Sequence, residues 1–74
     1  MNPEQLLHTA LHGDPIDAIP AIHELREILN QAERNHVLTL RRHNASWAFI
    51  ARQLGITRQS ANERFAPWET PTQT

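Results

Sequence analysis

The sequence has no cysteine, no lysine and no tyrosine, two glycines, and no long apolar run. Without cysteine there is neither a disulfide framework nor a thiolate zinc site to support a chain of 74 residues. A chain of that length buries only about 60% of its unfolded surface, so stability must come from close helix packing or from a second chain. No stretch approaches the roughly 20 apolar residues that span a bilayer. Residues 1–12 contain Glu4, His8 and His12 and lack a basic start, so they do not read as a signal peptide. The expectation is a soluble, cytoplasmic chain with no membrane partner. Gly13 and Gly55 alone cannot build a glycine-rich phosphate loop, and no nucleophile stands with a base. Enzyme activity is therefore not expected, and no cofactor is implied. The absence of tyrosine, the single valine and the lack of period-two alternation argue against a sheet.

What is present is unevenly spread. The formal charge is −1, yet residues 1–33 hold six acids (Glu4, Asp14, Asp17, Glu24, Glu27, Glu33) against Arg26 alone. Residues 34–66 hold six arginines (Arg34, Arg41, Arg42, Arg52, Arg58, Arg64) against Glu63 alone. Such asymmetry suggests that one half faces a polyanion while the other does something else. Arginine suits bidentate contacts to phosphate and guanine, although a GC-rich genome produces the same bias without selection for function.

Four helices are expected. Pro3 to Leu11 is short, with Leu6, Leu7, Ala10 and Leu11 on one side and Gly13 as its stop. A second begins at Asp14 and Pro15, a capping residue followed by the residue that fits a first helical position. Ile22, Leu25, Leu29, Ala32, His36 and Leu40 then recur at alternating steps of three and four, one helical face broadened by Ile16, Ile19, Ile28 and Val37. Pro20 should kink the first turns or delay the start, and Asn44 is a fair left-handed stop. Such a helix has more apolar stripe than two short neighbours can cover. The third helix opens at Ser46 and stops at Gly55; the fourth opens at Thr57 and stops at Pro67. One helical domain is expected over 1–66, all-α, with a long acidic-to-basic helix at 14–43 and a helix-turn-helix at 46–66. Residues 67–74 read as a flexible tail, disordered from Glu69 onward.

The string Ser46 to Phe65 carries the functional expectation. Two short helices that cross steeply need a small residue at the contact, which Ala51 supplies, and a turn of positive φ, which Gly55 supplies. Ile50, Leu54, Ile56, Ala61 and Phe65 close a small core. The first turn after Thr57 then projects outward, as a recognition helix does in the major groove. Thr57, Arg58, Gln59 and Asn62 are expected to enter the major groove with Glu63 beside them, and arginine, glutamine, asparagine and a carboxylate are side-chain types that read base edges. Arg41, Arg42, Arg52 and Arg64 are expected on phosphate, with Ser46 a further positioning contact at a helix start.

Residues 14–66 resemble a group of small actinobacterial helix-turn-helix proteins related to homeodomain-like and sigma-region-4-like modules. The resemblance rests on Asp14-Pro15, Arg41-Arg42, Ser46-Trp47, Ile50-Ala51, Leu54-Gly55, Arg58-Gln59 and Arg64-Phe65. It implies a DNA-binding module of a regulator but supplies no operator. Phe49 departs from the pattern, because its position is usually acidic in such proteins. Its ring points away from the face of Trp47, Ile50, Ala51 and Leu54, so either the first segment or another chain is expected to cover it.

Competing readings accompany these. The three-helix unit could bind protein instead of DNA, and single arginines are often only a solvated face. Trp47 reads as core and Trp68 as an anchor after Pro67. His8 and His12 stand at the spacing of two metal ligands, but no third ligand is evident and surface histidines are expected. His36 reads as buried or interfacial. At a dimer seam it would weaken association as the imidazole protonates.

The expectation is a sequence-specific binder of double-stranded DNA associated with the nucleoid, a transcriptional regulator or a mobile-element accessory protein. It would pair as a homodimer through Ile22, Leu25, Leu29 and His36 of the long helix, with Phe49 at an interface. The alternative is an adaptor to the transcription machinery that uses the acidic half.

Overall fold

The computed structural model describes residues 2–69 and is all-α among them. The helices are α1 (Pro3–His12), α2 (Pro15–Arg42), α3 (Trp47–Leu54) and α4 (Arg58–Phe65), followed by a short 3-10 helix at Ala66–Trp68. No helix among the described residues is long and apolar enough to cross a membrane. The chain divides into two compact units, Met1–Ala32 and Glu33–Thr74, with the boundary inside α2.

In the first unit, the Asn2 side chain accepts a hydrogen bond from the Gln5 N–H at 2.8 Å and opens α1, satisfying one of the unpaired donors of a helix start. Gly13 ends α1 for a reason other than the expected one. Its φ of −79° and ψ of 174° are extended, not left-handed. A Cβ there would stand 2.7 Å from the Thr9 carbonyl oxygen, so the chain reverses too closely for a side chain. The Asp14 carbonyl takes the N–H groups of Asp17 and Ala18, and α2 starts at Pro15 with Pro20 inside it rather than being delayed.

The buried face of this unit differs from the apolar stripes of the sequence. Only Leu6, Ala18 and Ala21 are buried, while Leu7, Leu11, Ile16 and Ile19 are exposed. The buried residues of α2 in this unit are two alanines three apart, not its larger aliphatics. Ile22 and Leu25 are half-buried, and Leu29 is 63% exposed.

The second unit is built on Val37 from α2, Ile50 from α3 and Phe65 from α4, with Ala45, Trp47 and Leu54 packed against them. Ala51 and Ala61 are also buried, which places the small residues where α3 and α4 meet. His36 and Leu40, expected on the packed stripe, are exposed, because Val37 is the α2 residue that enters the core. Two stops of the same design bound α3. Asn44 has φ 68° and Gly55 φ 71°, and in each case the next N–H reaches back across the helix end: Ala45 to the Leu40 carbonyl at 3.0 Å, Ile56 to the Ala51 carbonyl at 3.1 Å. This six-to-one bond is the Schellman closure, which asks for a left-handed residue and so for glycine or asparagine.

Residues 67–69, expected to begin a flexible tail, include Pro67 and Trp68 of the 3-10 helix and Glu69, whose N–H donates to the Ala66 carbonyl at 2.9 Å. The disorder expected for the tail otherwise falls on 70–74, outside the described residues.

Candidate nucleic-acid interface

The starts of α3 and α4 are both capped by hydroxyls. Ser46 Oγ accepts from the Phe49 N–H and Thr57 Oγ1 from the Ser60 N–H, each at 3.0 Å. The Thr57 hydroxyl in turn donates to Ser60 Oγ at 2.9 Å. With both hydroxyls committed to their own helices, Ser46 and Thr57 act first as caps, worth about 1 kcal/mol each. Their exposed positions fix where the first turns of the two helices begin.

An open groove of about 660 Å³ runs along these helix starts, lined by Arg41, Ser46, Trp47, Ala48, Arg58, Gln59 and Asn62. Five of the ten side chains expected to contact DNA therefore share one concave surface. Arg58, Gln59, Asn62 and Glu63 are all exposed on α4; Gln59 and Glu63 lie opposite buried Ala61 and Phe65, and Arg58 lies on the flank of that buried face. Gln59 Nε2 donates to Glu63 Oε2 at 3.2 Å, one turn along the exposed side of α4. Arg58 and Arg52 make no hydrogen bond or ion pair among the described residues.

The other arginines of the basic half are less free. Arg41 Nε donates to Glu69 Oε2 at 2.7 Å and Nη1 to the Ala45 carbonyl at 2.8 Å, with its guanidinium 4.4 Å from the Trp47 ring centroid. Arg64 Nη2 pairs with Glu33 at 2.8 Å, and its guanidinium lies 4.7 Å from the Phe65 ring centroid. Arg42 donates to Thr39 Oγ1 at 3.0 Å, and Arg34 lies 4.0 Å from the Trp68 ring centroid. Arg42, Arg52 and Arg64, with Thr57 and Glu63, do not line the groove.

Trp47 is expected in the core rather than stacked on a base. It is half-buried against the core cluster but also lines the groove beneath Arg41. The Ser46-Trp47 pair carried this information, since a residue just inside a helix start shows one edge to whatever approaches that start. Phe49 is 43% exposed. His8 and His12 are exposed with ring centroids 5.3 Å apart, and no group of three metal-ligating side chains occurs among the described residues.

No family model matches the chain, and no solved structure matches it. It is similar to uncharacterised proteins of Mycobacterium bovis and of two strains of Mycobacterium tuberculosis, each 33% identical over 67 residues. The match covers 90% of this chain and 27% of each relative, so the chain spans about a quarter of the length of the curated relatives it matches.

Proposed function

We propose that this chain is a DNA-binding protein and not an enzyme, a transcriptional regulator or mobile-element accessory protein that enters the major groove with α4. The observation that carries the reading is the groove in which Arg58, Gln59 and Asn62 of α4 meet Arg41 and Ser46. Arg58 grips guanine, Asn62 and Gln59 meet the donors and acceptors of adenine or cytosine, and Glu63 sets the orientation of Gln59. Thr57 enters the major groove beside them, Arg42 and Arg52 contribute charge to the phosphates with Ser46, and Arg41 and Arg64 contribute less because each is paired with a carboxylate. Few phosphate contacts make a single copy a weak binder. A homodimer through the exposed or half-exposed Ile22, Leu25, Leu29 and His36, with Phe49, would place two copies of α4 about one DNA turn apart. Localisation would follow the nucleoid.

Fluorescence anisotropy with mixed-sequence duplex DNA tests this. Affinity should fall steeply with salt, Arg42→Ala should weaken all sites alike, and Arg58→Ala should cost about 1–3 kcal/mol of base discrimination. Absent or salt-insensitive binding would remove the proposal.

One observation favours a second reading. Leu7, Leu11, Ile16 and Ile19 are exposed in the acidic unit, which suits an adaptor that docks a partner of the transcription machinery. That reading predicts capture of a partner by residues 2–32 with no DNA affinity in the pure chain.

A further inference from the structure

Arg41 lines the groove, yet its charge is answered from within the chain. Glu69 takes its Nε at 2.7 Å and stands 3.5 Å from its Nη2, while the Ala45 carbonyl takes Nη1. The Arg41 side chain is 25% exposed and that of Glu69 37%, so the pair is partly screened from water. The same short segment covers a second cation. Trp68 lies under the Arg34 guanidinium at 4.0 Å, and Pro67 within the 3-10 helix limits the ways this segment can rearrange. Two of the six arginines of the basic half are thus engaged by residues 68–69, which follow α4 directly.

We infer that Glu69 is a built-in competitor for the polyanion: residues 66–69 form a strap that neutralises Arg41 and lowers the affinity of the groove for phosphate. This rests on the proposed DNA-binding reading and adds its regulation. The geometry specifies what release does. Of the five guanidinium N–H groups of Arg41, the Nε and Nη2 edge faces Glu69 and one Nη1 donor faces Ala45. The carboxylate therefore holds the bidentate edge that a phosphate would use. Glu69 lines not the groove itself but a second cavity of about 350 Å³ with Leu38, Arg41, Arg42 and Trp68, and Arg41 is the residue common to both, so freeing it adds one net charge at the edge of the groove. A partner or cation that takes the Glu69 carboxylate would raise DNA affinity without touching α4.

The test compares the full chain with Glu69→Gln, Arg41→Ala and the double variant, using anisotropy on mixed-sequence duplex DNA across a salt series. Glu69→Gln should bind about five- to tenfold tighter near 0.1 M salt, with the log–log salt slope steeper by about 0.9, the signature of one more phosphate neutralised. The gain should vanish in the Arg41→Ala background. A purely structural role for Glu69 would not steepen the slope. Unchanged or weaker binding by Glu69→Gln, with the wild-type chain binding in a salt-dependent way, overturns the strap and leaves the DNA reading standing. No binding by any variant, Glu69→Gln included, removes both.

Discussion

Glu33–Thr74 encloses Val37, Ile50 and Phe65 around two buried alanines, whereas Met1–Ala32 buries Leu6, Ala18 and Ala21 and leaves Leu7, Leu11, Ile16 and Ile19 between 51% and 82% exposed. The two units differ in charge, but both are helical and both are rich in aliphatic side chains, so aliphatic content does not explain the difference in burial. Topology does. Three helical segments that converge, with Schellman stops on either side of α3, surround a side chain such as Ile50 completely. In the first unit one leucine and two alanines are buried and the larger aliphatics of both helices are left to solvent. The basic unit therefore holds its surface side chains on a fixed frame, and the acidic unit offers apolar surface without one.

The largest effect should follow loss of the central ring. Phe65→Ala removes about 3–5 kcal/mol, against a total of about 4–11 kcal/mol for a domain of this size, and should abolish the near-UV circular dichroism of Trp47. Leu6→Ala should cost less, about 2 kcal/mol, because the thin packing around it can collapse. It should lower helicity while leaving the Trp47 signal in place. If the two variants melted alike by both probes, the contrast between the units would be lost.

Gly55→Ala comes next. Nothing lies within 4 Å of the Cβ it would add, so the cost is the left-handed backbone alone, about 1–2 kcal/mol, seen as a lower thermal midpoint. Gly13→Ala sharpens the comparison, since its φ is ordinary and its penalty comes from the Thr9 carbonyl instead. Smallest are the caps: Ser46→Ala and Thr57→Ala should each remove about 1 kcal/mol. Amide exchange should then quicken at the starts of α3 and α4 before it does at Ile50.

The local features were legible in the sequence. Ser46 and Thr57 as caps, Asn44 and Gly55 as left-handed stops, and Ile50, Ala61 and Phe65 as core all follow from rules that act within one turn of helix. The side of α2 that packs was not legible. Periodicity points to Leu29, His36 and Leu40, but the neighbours reach α2 at Ala18, Ala21 and Val37, and only the tertiary arrangement decides that. The pairing of Arg41 with Glu69 and of Arg64 with Glu33 was missed for the same reason. The partners lie 28 and 31 residues apart, and charge counted by segment treats both arginines as free. Gly13 was recognised as a stop but for the wrong physical cause, because a close approach to backbone and a positive φ leave the same glycine in a sequence.

Under the proposed function the basic unit presents Arg58, Gln59 and Asn62 to DNA, and the acidic unit makes no contact with it. Titration of the isotope-labelled chain with short mixed-sequence duplex, followed by NMR of backbone and side-chain N–H groups, tests it residue by residue. Shifts are expected to concentrate at Ser46–Ala48, Arg58, Gln59 and Asn62 and to fade as salt is raised. Shifts centred on Leu7, Leu11, Ile16 and Ile19, or none at all at low salt, would contradict it.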